Sequence, residues 1–384
     1  MFAKIGSPLS IVVILVSLGG AMDPSAARAA GTVGNGTAGS CTETAFDTAL
    51  TGGGSVTFDC GGPATIVFTA TKAITAATTI TGNATGVTLS GGGAVRLFNV
   101  TGGSLTIDHL ALVDGQDSVA QPGAAAIDAS APVTITDSTI SGHKSTNGGC
   151  PAISVSGTLT IARSTITGNV NTAPALGIAV CGNNTASMTI TDSTFTANTG
   201  GGIWTSGTAT ITNSTIAGNT ATGAGNTSGV AAFGTGVVTL RNTIVANNAT
   251  SGPSAGQCAP VAGGVINDGG GNLQFPDNLC GATIPVGDPL LGGLASNGGP
   301  TQTMALGFGS PAIDTAIAAN CPATDQRGQV PVDGNGDGTI VCDTGAYEFV
   351  PNLAQIPTIA PTGLLGLALL LALLALASLR RRRV

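Results

Sequence analysis

A short pattern that recurs through the middle of the chain constrains the fold more than any other feature of the sequence. Its fullest form is Thr-Ile-Thr-Asp-Ser-Thr, and its copies lie in segments that begin at Leu105, Val133, Leu159, Met188, Ala209 and Val238. Successive segments begin 28, 26, 29, 21 and 29 residues apart. Constant cores separated by insertions of variable length are typical of a solenoid whose coils carry loops.

Alignment of these segments places apolar residues in three columns. The first holds Ile127, Ile153, Ile178, Ile203 and Val230; the second holds Ile107, Ile135, Ile161, Ile190, Ile211 and Leu240; the third holds Leu112, Ile140, Ile166, Phe195, Ile216 and Val245. Their alternation with Thr and Ser has the period of a β-strand. One strand per side of a three-sided coil would stack every column inside, which predicts an all-β parallel β-helix. The rival fold, a Gly-rich β-sandwich, would place its strands roughly 8–12 residues apart, which these segments do not.

The composition excludes several classes of protein. Only 8% of the residues are charged and 42% are hydrophobic, and the chain contains 60 glycines. The small, weakly charged residues do not fit a coiled coil, and the apolar content does not fit a disordered chain. Because 19 acidic residues outnumber 12 basic ones, we expect no nucleic-acid partner.

The N-terminal region combines an export signal with a cap. Lys4, an apolar stretch over residues 11–18 and the small-x-small triplet at 27–29 predict a signal peptide over residues 1–29. That apolar stretch is too short to span a bilayer. Residues 30–104 are predicted to form a cap and the first coils, with an amphipathic helix over 42–50 that turns Phe46 and Leu50 inward. Such a cap covers the open edge of a parallel solenoid.

The C-terminal residues 351–384 form a linker, an apolar stretch and an arginine cluster. Residues 362–379 carry no charge, and four arginines follow at 380–383. A helix of this length would span about 27 Å, close to the hydrocarbon thickness of a bilayer, with the arginines on the cytoplasmic side. Together with Gln355-Ile356-Pro357-Thr358, the stretch resembles the bacterial IPTL-CTERM and PEP-CTERM sorting tails. It is either a permanent single-span anchor or a tail that a membrane sorting protease removes after the secretion machinery has exported the chain.

Eight cysteines lie in the body of the chain, which fits an oxidising compartment. Sequential pairing is the simplest hypothesis and gives the disulfides Cys41–Cys60, Cys150–Cys181, Cys258–Cys280 and Cys321–Cys342. The alignment places Cys181 beside Ser156, six residues from Cys150. An extended chain separates such residues by roughly 20 Å, so either a corner intervenes or this pair does not form.

The repeats resemble those of right-handed parallel β-helix proteins, a group known for pectate-lyase-like folds and for bacterial surface proteins. The pattern changes in residues 251–350. Five blocks, at 287–292, 297–301, 309–314, 321–328 and 342–348, resemble in order the choice-of-anchor Q domain. That domain is found at the ends of bacterial β-helix proteins before varied sorting tails. The resemblance implies terminal loops and a module that concerns cellular placement rather than a reaction.

One polar column offers candidate catalytic residues. It holds His109, Asp137, Arg163, Asp192, Asn213 and Asn242. In register, Asp137, Arg163 and Asp192 would stack as carboxylate, guanidinium and carboxylate, an arrangement that resembles polysaccharide lyases of this fold. A base would then take the α-proton of a uronate whose charge an acid or metal neutralises. The alternative, which we favour, is a surface ion-pair ladder of little energetic value.

Three further features invite a function and also have a structural explanation. Asp333, Asn335 and Asp337 alternate with glycines as at the start of a calcium loop, but Thr344 occupies the position of the bidentate Glu, so Asp343 or Glu348 would have to replace it. A plain Asx/Gly turn is the favoured alternative. His143 falls in a corner column with asparagines and is expected to be a turn or ladder residue. Trp204 follows the inward Ile203 and is expected to face outward, where one aromatic could stack on a sugar.

These observations predict an exported right-handed three-sided β-helix with an N-terminal cap helix and one C-terminal apolar helix, anchored at the cell surface. The favoured function is non-catalytic display or adhesion. The alternative is a polysaccharide lyase or glycosidase that acts on an extracellular polysaccharide through Asp137, Arg163 and Asp192. No cofactor is predicted apart from the calcium considered above.

Overall fold

The structure is a computed structural model that describes residues 31–83, 86–117, 123–172, 178–221, 229–250 and 256–351. The predicted signal peptide and C-terminal apolar tail lie outside these residues. None of the helices in the described ranges is both long and apolar enough to cross a membrane.

The described chain folds as a parallel β-solenoid of about eight turns with three sheets. The first sheet contains Gly31–Gly34, Gly54–Asp59, Thr78–Thr81, Leu105–Asp108, Val133–Thr136, Thr158–Ala162, Ser187–Thr191, Thr208–Thr212, Val237–Arg241 and Val265–Asp268. The second contains Ala64–Val67, Val87–Ser90, Ala111–Val113, Thr139–Ser141, Thr165–Thr167, Thr194–Thr196, Thr215–Ala217, Ile244–Ala246 and Leu273–Phe275. The third contains Lys72–Ile74, Phe98–Val100, Ile127–Ala129, Ile153–Val155, Val180–Gly182, Ile203–Thr205, Val230–Phe233 and Cys258–Val261. Two pairs of two-residue strands, Lys144–Ser145 with Val170–Asn171 and Thr220–Ala221 with Ala249–Thr250, lie outside these sheets. The all-β solenoid predicted from the repeats is confirmed.

Neighbouring coils pair in a register that stacks like residues inside. In the first sheet, Ile135 pairs with Ile107 of the preceding coil and with Ile161 of the following one, and all three are fully buried. In each of these three strands, the Thr residue that precedes the Ile points outward. Burial of one branched aliphatic side chain after another supplies the main stabilisation of each coil.

The third sheet requires a correction to the first predicted column. Val180, rather than Ile178, pairs with Ile153 and Ile203. Ile178 and Val180 are two positions apart, so the strand period fits either of them. Ile178 instead packs in a separate apolar cluster that includes Cys181.

The structure contains the four sequential disulfides, Cys41–Cys60, Cys150–Cys181, Cys258–Cys280 and Cys321–Cys342. The corrected register removes the difficulty with the second pair. Cys181 pairs with Ser154 instead of Ser156, which brings it two residues nearer to Cys150 along the coil. The chain also bends at Pro151 before the strand begins, so the two Cα atoms lie 6.0 Å apart.

A short helix covers the N-terminal end of the solenoid. It spans Glu43–Leu50, and the Thr42 side chain caps it by accepting a hydrogen bond from the Ala45 amide. Phe46 is fully buried as predicted, whereas Leu50 is only partly buried. Lys72 of the first coil joins the helix through ion pairs of 2.6 Å to Glu43 and 2.7 Å to Asp47. A 3-10 turn at Ala38–Ser40 precedes the helix.

The solenoid continues beyond residue 250, where the repeat alignment ends. Cys258–Val261, Val265–Asp268 and Leu273–Phe275 add one more strand to each of the three sheets. In this coil, Asn267 and Asp268 occupy the positions of Thr239 and Leu240 in the preceding coil, so the pattern is lost and the pairing partners identify the strand.

Residues 287–351 are called the C-terminal segment, and residues 276–286 link it to the strand Leu273–Phe275. It contains an antiparallel pair, Leu291–Ala295 with Thr303–Leu306, and a 3-10 turn at Ala318–Asn320. The segment folds back over the outer face of the second sheet. The Thr165 hydroxyl donates to the carbonyl of Gln302 (2.6 Å), the Thr194 hydroxyl donates to the Gln326 side chain (2.7 Å), and the Ala346 amide donates to the Thr215 hydroxyl (3.1 Å).

Candidate functional site

The polar column that sequence analysis singled out lies at the corner between the first and second sheets. Its members are His109, Asp137, Arg163, Asp192, Asn213 and Asn242, and all have a left-handed backbone with φ between 46° and 52°. Among residues other than glycine, Asn, Asp and His adopt this conformation most readily. The backbone of the corner therefore accounts for most of the residue types in the column.

The next position of the corner carries a serine ladder that sequence analysis missed. The Oγ atoms of Ser164, Ser193 and Ser214 each accept the amide hydrogen of the corresponding residue one coil earlier. Each hydroxyl also donates to the carbonyl two residues before it. The recurrence of Ser directly after the left-handed residue was the available signal. These serines are buried and their hydroxyl groups are engaged in hydrogen bonds, so they are not nucleophiles.

Asp137 and Arg163 form a bidentate ion pair. Arg163 Nε lies 2.9 Å from one carboxylate oxygen of Asp137 and Nη2 lies 2.6 Å from the other. The hydrogen bond to Asp137 raises the pKa of Arg163. The Asp137 side chain is 9% exposed and that of Arg163 is 37% exposed. The pair satisfies both groups and leaves neither of them poised for proton transfer.

Asp192 lies apart from this pair, beneath the C-terminal segment. It is 8% exposed, and its Oδ1 atom has no hydrogen-bond partner. Burial raises the pKa of Asp192 to about 7; the Arg163 charge opposes this rise and the Asp325 charge adds to it. Among the described residues, Asp192 forms no ion pair with Arg163. The expected three-member ladder is thus formed only between its first two members.

An open cleft lies beside the corner near the start of the solenoid. It has a volume of about 510 Å³, and its walls include Asn83, His109, Asp137, Thr139 and Pro300 of the C-terminal segment. His109 Nδ1 lies 2.9 Å from Asp108 Oδ1, and both residues lie within 4.8 Å of Asp137, measured between their potential ligand atoms. A carboxylate-oriented imidazole of this kind could act as a general base or a metal ligand.

The predicted calcium loop forms a turn, and its Asn335 amide also donates to Asp314 Oδ2 at 2.7 Å. Asp333 Oδ1 accepts the amide hydrogen of Gly336 at 2.7 Å, Asn335 Oδ1 accepts that of Asp337 at 2.8 Å, and Asp337 Oδ1 accepts that of Thr339 at 2.8 Å. These contacts match an Asx turn. Calcium binding by Asp333, Asn335 and Asp337 stays a prediction.

A second acidic cluster lies nearby, within the C-terminal segment. Asp314, Asp343 and Glu348 bring one oxygen each to within 4.8 Å of one another. Burial raises the pKa of Asp343 to about 8, with a further contribution from the Glu348 charge, and burial raises the pKa of Glu348 to about 7. Sequence analysis considered Asp343 and Glu348 only as replacements for the twelfth residue of the loop.

His143 is a structural residue at the corner between the second and third sheets. Its Nδ1 accepts the Gly115 amide hydrogen at 2.8 Å, so the neutral ring carries its proton on Nε2, which donates to the Leu112 carbonyl at 3.0 Å. Burial lowers the pKa of His143 to about 4. Asn169 and Asn198 make the equivalent contacts in later coils. The imidazole thus replaces one amide in an asparagine ladder.

Trp204 lies on the outer face of the third sheet. Its ring centre is 6.0 Å from that of Phe233, and it packs on a cluster that contains the Cys150–Cys181 disulfide. Both rings are only partly exposed, and Trp204 packs on Phe233 and on this cluster.

Comparison with known proteins identifies the solenoid. A family model described as "Right handed beta helix region" matches residues 56–249. Neither the curated proteins nor the solved structures contain a match to the chain.

Proposed function

The chain belongs to the right-handed β-helix family, and we propose that it is an exported protein, anchored at the cell surface, that displays its solenoid without catalysis. The solenoid offers long outer faces for adhesion or for presentation of loops. The display function is favoured over an enzymatic one because the candidate catalytic residues of the corner column are paired or buried.

The observation that carries this proposal is the coverage of Asp192 by the chain itself. A catalytic acid or base must reach its substrate. Asp192 is buried beneath the C-terminal segment, and Arg163 is held by both oxygens of Asp137. Of the three residues that could have served a lyase, Asp137 and Arg163 are therefore engaged in an ion pair, and Asp192 is covered by the C-terminal segment.

Export and anchoring are supported by other features. The four disulfides fit an oxidising compartment. Residues 1–29 resemble a signal peptide, residues 287–348 resemble a choice-of-anchor Q domain, and residues 351–384 resemble a sorting tail. We propose that the secretion machinery exports the chain and that a membrane sorting protease recognises its tail.

The localisation can be tested in cells that produce the full chain. We expect added protease to digest the body in intact cells, and mass spectrometry to find either the intact arginine cluster at 380–383 or a new C-terminus upstream of it. These two results distinguish a permanent anchor from a cleaved tail. A body that is digested only after cell lysis would contradict surface display.

A second candidate function is supported by the cleft beside His109. His109, paired with Asp108 and close to Asp137, could take a proton from a polysaccharide bound there. The discriminating experiment incubates the full chain with acidic and neutral polysaccharides and measures chain length. We expect no shortening. Shortening that is lost in His109→Asn, but retained in the buried control His143→Asn, would establish a polysaccharide-degrading enzyme and overturn the display proposal.

A further inference from the structure

Asp192 is a buried carboxylate to which neither function considered above assigns a role. It lies in the corner column, where the next two coils carry the neutral Asn213 and Asn242. It is 8% exposed, and within the described ranges its Oδ1 atom makes no hydrogen bond. An ionised carboxylate that is buried without a partner is strongly disfavoured, so this environment favours the protonated acid.

The C-terminal segment covers Asp192 and leaves it almost no water. The cavity between them has a volume of about 10 Å³, room for about one water molecule. From the segment, Pro322, Thr324 and Pro331 are among the residues that line it. An ionised carboxylate in this space loses most of its hydration, whereas release of the segment would return it to solvent. Ionisation of Asp192 therefore opposes attachment of the segment.

The charged groups around Asp192 do not cancel this effect. Arg163 of the preceding coil favours ionisation of Asp192, but both oxygens of Asp137 already hold its guanidinium. Asp325 of the segment disfavours ionisation, and its own partner is Arg327 at 2.7 Å. Cys342 on the cavity wall is disulfide-bonded, and the other titratable side chains of the described residues on this wall are Asp343, Tyr347 and Glu348, all from the segment.

We propose that Asp192 makes the attachment of the C-terminal segment dependent on pH: the segment binds over the protonated acid and is loosened when the acid ionises. The contacts that would loosen include the Gly345 amide, which donates to the Asn242 carbonyl at 2.8 Å, and the Ala346 amide, which donates to the Thr215 hydroxyl at 3.1 Å. The corner column would then be covered at acidic pH and uncovered at alkaline pH. This inference holds for a display protein and for an enzyme alike.

The direction of the effect follows from a comparison of the attached and released segment. Burial raises the pKa of Asp192 from its ordinary value of 3.8 to about 7, although the Arg163 charge opposes this rise. The attached state therefore binds more protons between these values, so attachment is strongest below about pH 4, weakens as the pH rises and is weakest above about pH 7. Each pH unit within this range changes the equilibrium by about tenfold, which gives about a hundredfold between pH 5 and pH 8.

Hydrogen exchange of the full chain, purified in mild detergent, tests this inference. Exchange is measured from pH 5 to pH 8 under conditions in which it reports the opening equilibrium, and each rate is divided by the intrinsic rate at that pH. We expect the protection of the amides of residues 342–348 to fall by about a hundredfold over this range. The solenoid strand Ser187–Thr191 should keep its protection.

Asp192→Asn should remove most of this dependence and leave less than about a tenfold change between pH 5 and pH 8. Asn213 and Asn242 occupy the same corner position in the next coils, so asparagine suits the left-handed backbone there. The matched control is Asp288→Asn, which removes an exposed acid of the same segment that does not line the cavity. This control should keep the full change.

A second variant tests the same carboxylate without replacing it. Arg163→Gln removes the cation that favours ionisation of Asp192, so the midpoint of the change should move to higher pH. This variant decides the question if Asp192→Asn does not fold.

Four results would overturn the proposal. The first is equal protection of residues 342–348 at pH 5 and pH 8 in the wild type. The second is the full change in Asp192→Asn, which would assign the dependence to other acids of the segment. The third is an equal loss of protection in Ser187–Thr191, which would show that the whole molecule responds. The fourth is an unchanged midpoint in Arg163→Gln.

Discussion

In the ladders of the solenoid, buried polar side chains find their partners one coil away, whereas the buried Gln326 of the C-terminal segment finds partners far along the chain. Asn198 donates to Asn219 at a separation of 21 residues, and Ser164 accepts from Ser138 at a separation of 26. Gln326 of the segment donates to Thr165 across 161 residues. Repetition satisfies polar groups automatically in the first region, while the second depends on individual contacts.

The two regions also differ in the charge of the polar groups that they bury. The ladders of the solenoid use neutral hydroxyl, amide and imidazole groups, which tolerate burial when they are hydrogen-bonded. The C-terminal segment buries Asp325, Asp343 and Glu348 against the solenoid. Burial of several like charges is costly without a cation, so this interface is the part of the molecule that we expect to respond to solution conditions.

The largest expected effect is the loss of a stacked core residue. Phe195 is fully buried inside the solenoid, and Phe195→Ala should lower the free energy of unfolding by about 3–5 kcal/mol through lost burial and a residual cavity. Phe308 of the C-terminal segment is 66% exposed, and Phe308→Ala serves as the matched control with little change. Urea denaturation followed by circular dichroism measures both. Equal destabilisation by the two changes would contradict the assignment of Phe195 to the core, because an exposed ring would then contribute as much.

The second effect is a pH dependence that arises from the histidine in the asparagine ladder. Burial lowers the folded-state pKa of His143 to about 4, below its unfolded value of 6.5. The unfolded chain therefore binds more protons between these values, so stability is full above about pH 6.5 and is lost as the pH falls toward 4. The loss amounts to about 3 kcal/mol.

The variant that isolates the contribution of His143 to this pH dependence is His143→Asn. An asparagine amide can donate to the Leu112 carbonyl, as Asn169 and Asn198 donate to the equivalent carbonyls of their coils. Urea titrations at a series of pH values should show a smaller acid destabilisation in the variant than in the wild type. Gln329→Ala, which removes no titratable group, is the control and should leave the slope unchanged. Identical slopes for wild type and His143→Asn would show that acid sensitivity resides elsewhere.

The ladders also show what could be predicted from the sequence. The columns through Ile135 and Ile140 were predicted because the same residue types recur at the same place in each coil and pair in register. The error at Ile178 arose where two apolar residues fit one strand period. The position of Asp192 beneath the C-terminal segment could not be predicted, because its neighbour Asp325 is 133 residues away and follows no repeat.

A third, smaller effect concerns the attachment of the C-terminal segment. Gln326 is fully buried and donates to Thr165, Thr301 and the Gln302 carbonyl, while its carbonyl oxygen accepts from Thr194. Gln326→Ala should destabilise this interface by about 1–3 kcal/mol by leaving these groups without a partner. Because the solenoid core is untouched, we expect faster proteolysis and hydrogen exchange confined to residues 287–351.

The partly exposed Gln329 of the same segment offers a control, since its side chain makes a long contact of 3.4 Å with the Val330 carbonyl. Gln329→Ala should leave the exchange pattern as it is. If Gln326→Ala instead accelerates exchange throughout the strands of the second sheet, the segment and the solenoid form one cooperative unit rather than two.

The smallest effect is expected at the ion pair between Asp137 and Arg163. A double-mutant cycle with Asp137→Asn and Arg163→Gln isolates their coupling, which should be about 1 kcal/mol or less because Arg163 is 37% exposed, and should shrink at high salt. A coupling of this size is consistent with a corner whose residue types recur because the left-handed backbone favours them. The serine ladder beside it likewise recurs for a structural reason. A coupling of several kcal/mol that resists salt would instead mean that the pair holds His109 and the adjoining cleft in a fixed geometry, which a display rod does not need and an active site does.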